Sequence, residues 1–545
     1  MNSKKSVAYF SLEIALENSL PTYAGGLGVL AGDTLRSAAD IGFSMIGITL
    51  LNRQGYLKQT LDSEGNQKKV KKIYFPLSKL KNTKIQTSVK IGSEKVLIQA
   101  WQYIIKGEKS ETPVILLDTD VSGNSVEMRR LTDRLYDSNK AYRLKQEIIL
   151  GRGGVKILSA LGYKNIKKYH VNEGHGSLAM LELYLSSKKK TPAAKMSEVK
   201  SLCSFTVHTP LLGAQDVYKK EFFLSNVTDW PEYLETVFKK DKINMTEFGL
   251  FTSGYVNAVS KIHREVSQKM FKKKNIAGIT NGVNSGYWTS SEMQKLFDKY
   301  CAGWRSKANL LKNFKNASIE EIVLAHRSAK KRLLAHVTKK TGQRLQEDVF
   351  TIGFARRFTP YKRATLILSN LKRLEMISRQ FGGLQIIFAG KAHPADDKGQ
   401  GLIKEVIAAK KTLAGKVEIV FLSDYDLYQA KLLVSGSDLW LNTPEPPLEA
   451  SGTSGMKAAH NGVPQLSSND GWWPEGFIAG KTGWMLKEEG SVVQNLYGLI
   501  ENNILPLFYS DPYEWGRLMR LTIVKNASFF NTERMLREYI KLSFK

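Results

Sequence analysis

The sequence has few cysteines and no long apolar run. Only two cysteines, Cys203 and Cys301, occur among 545 residues. That number is too small for a disulfide framework or a thiolate metal site, and it fits a reducing, cytoplasmic compartment. No uninterrupted apolar stretch approaches the roughly 20 residues that a membrane helix requires. Because Glu13 and Glu17 interrupt the N-terminal segment, we predict neither a signal peptide nor a membrane partner.

The composition is that of a globular protein with a strongly basic charge balance. Residues are 42% hydrophobic and 24% charged, and 80 Lys and Arg against 51 Asp and Glu give a net charge of +29. Nucleic-acid binding is therefore an alternative. The basic residues form short scattered groups, such as Lys188 to Lys190 and Lys272 to Lys274. We expect no nucleic-acid partner, but a solvated basic surface that attracts an anionic small substrate.

Two series of short apolar, β-branched runs alternate with helical stretches. The first series lies at 7–13, 43–51, 169–173 and 205–208, and the second at 349–356, 384–391, 417–423 and 439–442. Buried strands alternating with helices predict parallel α/β sheets. We predict two doubly wound Rossmann-like domains, 1–285 and 286–545, facing a central cleft. Residues 289–346 and the tail from Val492 are predicted to be helical.

One glycine-rich segment follows the last predicted strand. Residues 449–462 read Glu-Ala-Ser-Gly-Thr-Ser-Gly-Met-Lys-Ala-Ala-His-Asn-Gly. Small residues at a helix start expose backbone N–H groups, which favour an anion. The positions of Gly452 and Lys457 do not match a Walker A loop, so nucleoside triphosphate hydrolysis is disfavoured. The alternative is an ordinary helix start, capped by Ser451 or Thr453, with Lys457 exposed.

A cluster of cations follows another predicted strand. Four cations, Arg356, Arg357, Lys362 and Arg363, fall within residues 353–363, Gly-Phe-Ala-Arg-Arg-Phe-Thr-Pro-Tyr-Lys-Arg. A guanidinium offers a rigid fork that suits phosphate oxygens. A solvated charged surface is the alternative, but the position at a strand's carboxyl end favours an anion site.

Glycines and histidines mark the ends of strands in the first series. The cluster Gly25-Gly26-Leu-Gly28 does not match GxGxxG, so we interpret it as a loop whose backbone approaches a phosphate or sugar. Glu173 and His175 follow one strand, and His208 follows another. Neither segment has the spacing of a catalytic metal site, so these histidines are either structural or hydrogen-bond a substrate. No nucleophile elbow is present.

Taken together, these segments resemble the glycogen, starch and maltodextrin phosphorylase family, in particular its shorter prokaryotic members. The resemblance runs in collinear order from Val7 to nearly the C-terminus. The family signature is Glu-Ala-Ser-Gly-Thr-x-x-Met-Lys, whose lysine binds pyridoxal 5′-phosphate. Residues 449–457 match it, with Ser454-Gly455 where longer members usually have Gly-Asn.

The resemblance implies a glycosyltransferase of GT-B type architecture. It would use inorganic phosphate to release glucose 1-phosphate, with retention, from the non-reducing end of an α-1,4-glucan such as glycogen or maltodextrin. The first domain would provide the glucan and glycine-loop side. The second would provide the pyridoxal phosphate and phosphate-binding side. The cofactor phosphate would relay the proton, while Lys457 anchors the cofactor and dense cations offset the repulsion between two phosphates.

The same resemblance implies three sets of site residues and no metal. Arg357 matches the arginine that holds the substrate phosphate. The implied catalytic set is Arg357, Lys362, His208 and Lys457. The implied cofactor contacts are Lys457, Arg356, Lys362, Thr453, Gly28, Trp288 and Tyr425. The implied substrate contacts are Glu449, Ser451, Gly452, Asn281, His208, Gly26, Tyr361, Glu173 and His175.

Some features of the chain differ from the longer family members. It begins almost directly on the first strand, so control through an N-terminal extension is not expected. The segment 52–56 does not reproduce their tyrosine-rich version. Homo-oligomerisation stays open. The alternatives are a nucleotide-sugar-dependent glucan synthase of the same fold, which has no need of Lys457, and an inactive glucan-binding or basic interaction protein.

Overall fold

The computed structural model describes residues 6–69, 75–211, 213 and 215–544. The chain forms two compact units. The first unit comprises Met1–Tyr56, Lys72–Thr280 and Met535–Lys545, and the second comprises Leu57–Lys71 and Asn281–Arg534.

These units differ from the predicted domains 1–285 and 286–545 in two exchanged segments. Leu57–Lys71 belongs to the second unit, where Leu61 packs against the apolar core. Met535–Lys545 belongs to the first, where Leu536 is buried among its apolar side chains. Packing against residues distant in sequence assigns both segments to their units. Their position along the chain does not predict this.

The first unit is built on a nine-stranded mixed sheet with the order β13-β12-β9-β8-β1-β2-β7-β6-β5. All pairs from β13 to β7 are parallel, and β6 is antiparallel to both β7 and β5. Its strands are β1 Val7–Phe10, β2 Met45–Leu50, β5 Lys81–Ile91, β6 Glu94–Lys106, β7 Glu111–Asp118, β8 Lys168–Asn172, β9 Cys203–Thr206, β12 Tyr255–Ala258 and β13 Ala277–Gly278. Two small hairpins, β3 Gln59–Leu61 with β4 Gln67–Lys69 and β10 Val217–Lys219 with β11 Lys242–Asn244, complete the strands before residue 281.

The second unit is built on a six-stranded parallel sheet with the order β16-β15-β14-β17-β18-β19. Counted from its own first strand this order is 3-2-1-4-5-6, as in Rossmann-type sheets. Its strands are β14 Thr351–Ala355, β15 Gln385–Ala389, β16 Glu418–Leu422, β17 Leu439–Asn442, β18 Gln465–Ser468 and β19 Gly483–Leu486. The α/β class with parallel strands is therefore confirmed, and strands form in all eight predicted runs. The antiparallel β5–β6–β7 extension was not predicted.

Helices connect these strands and follow the last one. They are α1 Gly26–Ile41, α2 Val126–Arg129, α3 Lys140–Ile148, α4 Gly154–Ala160, α5 Leu178–Ser186, α6 Pro192–Leu202, α7 Lys220–Asn226, α8 Met245–Thr252, α9 Lys261–Met270, α10 Ser285–Trp288, α11 Ser291–Tyr300, α12 Ile319–Thr341, α13 Leu371–Gln380, α14 Asp397–Thr412, α15 Leu427–Gly436, α16 Ser454–Ala459, α17 Trp473–Gly476, α18 Val492–Leu499, α19 Leu505–Ser510, α20 Pro512–Thr522 and α21 Thr532–Leu542. The predicted helical character of 289–346 and of the tail is confirmed. Within the described part of the chain, no helix combines the length and apolarity needed to span a bilayer.

A buried ion cluster fastens helix α12 to the sheet of the second unit. Asp438, just before β17, accepts from Lys330 Nζ at 2.6 Å and from the backbone N–H of Thr351 at 2.8 Å. His326 Nε2 lies 2.9 Å from the other Asp438 oxygen. Burial raises the pKa of Asp438, but Lys330 and His326 outweigh it, and the pKa is lowered overall. The carboxylate therefore stays charged in the core.

We expect Asp438→Ala to destabilise the protein by about 3–5 kcal/mol, because Lys330 would be left buried without its counter-ion. Urea denaturation measures the change. Arg327→Ala is the control. It removes the exposed ion pair between Arg327, on the same helix, and Asp348 in the loop that follows, and it should change stability by less than about 1 kcal/mol. Equal losses in both variants would contradict the role assigned to the cluster.

Candidate active site

The second unit gathers its predicted site residues where the order of its strands reverses. Strands β14 and β17 are neighbours, while the chain continues to β15 on one side and to β18 on the other. Ligands of open α/β sheets bind beyond the carboxyl ends of the strands at such a point. Arg356 and Lys362 follow β14, and Glu449 follows β17. The topology thus brings together segments that are far apart in sequence.

Glu449 is the centre of this cluster. Its Oε2 accepts from Arg356 Nη2 at 2.7 Å and also from Lys362 Nζ. Burial raises the pKa of Glu449, but the charges of Lys362 and Arg356 outweigh it, so the pKa is lowered overall. The carboxylate is ionised at neutral pH and fixes both cations at the end of the sheet.

Several polar atoms of the predicted site residues in the second unit are buried without a hydrogen-bond partner among the described residues. They are Arg356 Nε and Nη1, Ser451 Oγ and Asn281 Oδ1. Buried polar atoms are almost always paired, so each exception needs an explanation. Two guanidinium N–H donors suit an oxyanion, and the hydroxyl and amide suit sugar hydroxyls. These unpaired atoms are therefore suited to bind a phosphate and a polyhydroxylated ligand.

Lys457 lies in α16 and is buried, with 8% of its surface exposed. Its ammonium group is 4.1 Å from the centre of the Trp288 ring. The Asn461 amide donates to the backbone carbonyls of both Lys457 and Trp288, each at 3.0 Å. The alternative of an ordinary capped helix is wrong, because Lys457 is not exposed and no side chain caps α16.

Two glycines in this segment are required by their surroundings. Gly452 has a φ of 74°, and a Cβ there would lie 3.2 Å from the Glu449 side chain. A Cβ on Gly455 would lie 1.4 Å from Gln465 Oε1. The neighbouring Ser454 Oγ accepts from Trp440 Nε1 at 3.0 Å. Local packing therefore accounts for Ser454-Gly455, the pair that departs from the longer members' Gly-Asn.

Asp470, which sequence analysis did not single out, fixes the backbone of Glu449 by a hydrogen bond. It accepts from the backbone N–H of Glu449 and from that of Gly471, both at 2.8 Å. Burial, together with the charge of Glu449, raises the pKa of Asp470 to about 7. An Asn-Asp-Gly sequence directly after β18 was the available signal.

The other predicted residues of this unit occupy different positions. Lys362 Nζ lies 4.4 Å from the centre of the Tyr361 ring. Burial raises the pKa of Tyr425, the charge of Asp426 adds to the rise, and the charge of Arg356 opposes it. Arg357 is exposed, and Thr453 is half-buried beside α16. The backbone carbonyl of Asn281 accepts from Arg534 at 3.0 Å.

In the first unit the order of strands reverses between β1 and β8, and the glycine loop follows β1. Glu13, which sequence analysis treated only as an interruption, organises this loop. Its carboxylate accepts from the backbone N–H groups of Ala24 at 2.5 Å and Gly25 at 3.0 Å, and from the Tyr136 hydroxyl at 3.0 Å. Burial raises the pKa of Glu13, and these hydrogen bonds oppose the rise.

The two predicted glycines have unequal surroundings. A Cβ on Gly28 would lie 2.8 Å from Glu13 Oε2, whereas a Cβ on Gly26 would meet no atom within 4 Å. Gly28 is thus required for the close packing of Glu13. The open space beside Gly26 is where a ligand could approach the backbone.

Glu173 connects the ends of strands β8 and β9. It has a φ of 72°, and its carboxylate accepts from the backbone N–H groups of Gly174 at 3.0 Å and His208 at 2.8 Å. The Thr246 hydroxyl donates to it at 2.9 Å. Burial raises the pKa of Glu173, and the bonds to His208, Gly174 and Thr246 oppose the rise. This carboxylate already accepts three hydrogen bonds from the protein. Through the one from His208 N–H it holds the His208 segment in place.

His175 and His208 are held as neutral rings. Burial lowers the pKa of His175 to about 4, and burial and neighbouring histidines lower the pKa of His208 well below its usual value. His175 Nε2 lies 3.5 Å from Asp216, whose carboxylate accepts from Arg143 at 2.6 Å. His208 Nε2 is buried without a partner among the described residues. A neutral imidazole suits hydrogen bonding to a hydroxyl. The described residues contain no group of three or more metal-ligand side chains placed to bind an ion.

Sequence comparison with known proteins shows the family of this chain. The model of the carbohydrate phosphorylase family matches residues 232–473. The maltodextrin phosphorylase of Thermococcus litoralis is 35% identical over 98% of this chain and 70% of the relative. The glycogen phosphorylase of Aquifex aeolicus is 36% identical over 98% of this chain and 86% of the relative. An uncharacterised protein of Methanocaldococcus jannaschii is 30% identical over 99% of this chain and 100% of its own length.

These similarities agree with an α/β protein that gathers cations and a buried lysine at the carboxyl end of a parallel sheet. The chain belongs to the carbohydrate phosphorylase family, as its resemblance in sequence implies.

The surroundings of the two glycines in the loop predict unequal effects on stability. Gly28→Ala should lower the melting temperature, because its Cβ would displace Glu13 and break the two bonds to the loop backbone. The loss should be about 1–3 kcal/mol, typical of overpacking. Gly26→Ala is the control and should melt close to the wild type, since its Cβ enters open space. Equal melting temperatures in thermal denaturation would contradict this interpretation.

The raised pKa of Asp470 predicts a component of stability that depends on pH. The folded protein holds a proton on Asp470 up to a pKa of about 7, whereas the ordinary value is 3.8. This group therefore lowers stability as pH rises from about 4 to about 7, because only the folded state resists ionisation there. Asp470→Asn should lose less stability than the wild type across that interval in urea denaturation. If stability fell equally with pH in the two proteins, Asp470 would not titrate in this interval.

Proposed function

We propose that this chain is an α-1,4-glucan phosphorylase. It uses inorganic phosphate to release glucose 1-phosphate from the non-reducing end of a glucan such as maltodextrin or glycogen. The relatives that match over nearly the whole chain include proteins named maltodextrin phosphorylase and glycogen phosphorylase. The observation that supports the proposal most directly is Lys457, buried against Trp288.

Pyridoxal 5′-phosphate fits the residues of the second unit. Lys457 supplies a buried amine, Trp288 supplies an aromatic surface, and Arg356 supplies two buried N–H donors that suit phosphate oxygens. Lys457, Arg356, Lys362, Thr453, Trp288 and Tyr425 would hold the cofactor. When bound, its phosphate would supply the acid–base group of the reaction. The family resemblance, together with these contacts, supports this assignment.

The side chains of the protein have three tasks in this proposal. Arg357 binds the substrate phosphate, and Lys362 and Arg356 balance the negative charge that two adjacent phosphates bring. The glycosidic C1–O4 bond breaks, the departing O4 takes a proton supplied by inorganic phosphate and becomes a hydroxyl group, and C1 gains a phosphate oxygen. Arg357 is exposed, which suits a group that receives a substrate anion from solvent, and the basic surface attracts that anion.

Neutral hydrogen-bonding groups would hold the terminal glucose. Ser451 Oγ and Asn281 Oδ1 in the second unit, and His208 Nε2 in the first, are buried without partners among the described residues. Glu449 can accept from a sugar hydroxyl while its Oε2 is bound by the two cations. Gly26, Tyr361 and His175 complete the proposed glucan contacts. Glu173 acts through the His208 segment. The strand order of the second unit supports a GT-B type architecture.

Two assays on purified protein test the proposal. We expect pyridoxal absorbance in the wild type and release of glucose 1-phosphate from maltodextrin plus inorganic phosphate. Lys457→Ala should abolish both. Lys431→Ala is the matched control, because Lys431 also lies over an aromatic ring, that of Tyr287, at 3.5 Å. It should keep the cofactor band.

The outcome also separates the proposal from the glucan synthase alternative. A protein without a cofactor band that turns over ADP-glucose or UDP-glucose would be a synthase. A protein that shows neither activity but binds maltodextrin would be an inactive glucan-binding member.

A further inference from the structure

Arg363 belongs to the cation cluster that follows β14, but the proposed reaction assigns it no task. Its Nε donates to the backbone carbonyl of Thr443 at 2.8 Å, and its Nη2 donates to that of Pro444 at 2.8 Å. Nη2 also lies 2.9 Å from Ser468 Oγ, and the Glu488 carboxylate faces both Nη atoms at 2.7 and 2.9 Å. Protein acceptors therefore engage all three nitrogen atoms of this guanidinium.

These acceptors lie at the ends of three neighbouring strands. Thr443 and Pro444 follow β17, Ser468 is the last residue of β18, and Glu488 follows β19. A guanidinium presents its donors in a rigid planar fork, so one side chain can bridge several acceptors in a fixed geometry. Arg363 thus fastens the segment after β14 to the ends of the next three strands of the sheet.

Backbone groups join the same two segments, residues 361–363 and 443–445, which we call the paired loops. The Glu445 N–H donates to the Tyr361 carbonyl at 2.7 Å. The Thr443 hydroxyl lies 3.2 Å from the Lys362 carbonyl and 3.1 Å from that of Arg363. Each of the paired loops therefore donates hydrogen bonds to the other.

The backbone of Arg363 has a conformation that requires support. Its φ of 47° and ψ of 48° lie in the left-handed region, which is unfavourable for residues that carry a Cβ. Its N–H donates to the Pro360 carbonyl at 2.9 Å and closes a tight turn. Since the chain changes direction at Arg363, the position of the preceding residue, Lys362, depends on how Arg363 is held.

The paired loops hold the two charges at the centre of the candidate site. Lys362 lies in one loop, and Glu449 follows the other by only a few residues. Lys362 Nζ donates to Glu449 Oε2, and both side chains are buried. A buried ion pair is favourable only when its geometry is good, because removing both charges from water costs nearly as much as their attraction returns. A shift between the loops would therefore move the Lys362 ammonium away from its place beside Glu449.

We propose that Arg363 is a positioning residue that joins the paired loops and so sets the place of the Lys362 ammonium. The proposal rests on the proposed function, in which Lys362 balances the charge of two phosphates. Arg363 binds no phosphate in this role, because its guanidinium holds the carbonyls of Thr443 and Pro444. The role requires the forked shape of arginine, and positive charge alone does not fulfil it.

The test measures the KM for inorganic phosphate in the phosphorolysis of maltodextrin by the cofactor-loaded protein. A smaller folded fraction lowers the apparent kcat but leaves this KM unchanged, so KM separates positioning from general support. Arg363→Met should raise KM by about tenfold, the worth of a charge-assisted hydrogen bond.

Arg373→Met is the matched control in the same unit. Arg373 also forms an ion pair, with Glu501 at 3.0 Å, and its partners Glu501 and Gln494 lie outside the paired loops. This variant should change the KM for phosphate by less than about twofold. Equal increases in the two variants would overturn the proposal.

Two further variants separate the shape of Arg363 from its charge. Arg363→Lys keeps the charge, but one ammonium does not reproduce the fork, so KM should stay raised by at least about threefold. This variant also carries the test if Arg363→Met does not fold. Glu488→Gln weakens the ion pair but keeps the bonds to Thr443 and Pro444, so KM should stay within about twofold of the wild type. A wild-type KM in Arg363→Lys, or equal increases in Glu488→Gln and Arg363→Met, would overturn the proposal.

Hydrogen exchange provides a readout that does not depend on activity. The Glu445 amide, which donates to Tyr361 across the paired loops, should exchange at least about tenfold faster in Arg363→Lys than in the wild type. Mass spectrometry of peptides that contain Glu445 measures it, and unchanged exchange would overturn the proposal. A wild type that releases no glucose 1-phosphate would refute the proposed function instead, and the exchange result would still decide whether Arg363 joins the loops.

Discussion

The second unit depends on one buried carboxylate that is shared by two cations. Glu449 Oε2 binds Arg356 and Lys362, which follow β14, while Glu449 itself follows β17. A buried charge requires counter-charges, so these segments are bound to one another at the point where the strand order reverses. Asp470 then fixes the backbone of Glu449 from the end of β18. Arg356 keeps two donors for an anion because Glu449 takes only one of its nitrogen atoms.

A comparable arrangement organises the first unit, but its carboxylates bind backbone. Glu13 holds the glycine loop through the N–H groups of Ala24 and Gly25, and Glu173 holds the His208 segment through the His208 N–H. In each case a carboxylate that follows a parallel strand fixes the backbone of a loop. The histidines beside them are neutral because burial opposes their charge. Cations thus surround Glu449 in the second unit, whereas neutral imidazoles lie at the strand ends of the first.

The exchanged segments show how the chain builds each unit from distant parts. The hairpin at 59–69 reaches the loops after β15 and β16, where Gln59 and Asp424, whose φ is 57°, exchange two hydrogen bonds. Gln59 and Asp424 are 365 positions apart. The backbone conformation of the loop after β16 is therefore stabilised by a residue from a distant part of the sequence.

Local sequence determined the α/β class, the strands in both series and the signature around Lys457. These features depend on short-range patterns, namely apolar β-branched runs and glycines at strand ends, and all are visible without knowing the fold. It did not reveal Glu13, Asp470, Gln59 or the exchanged hairpin. Their importance comes from partners brought close only by folding, and burial raises the pKa of Glu13 and of Asp470. Only the tertiary structure could show that Lys457 is buried against Trp288, because the same helix would leave it in solvent if no second segment covered it.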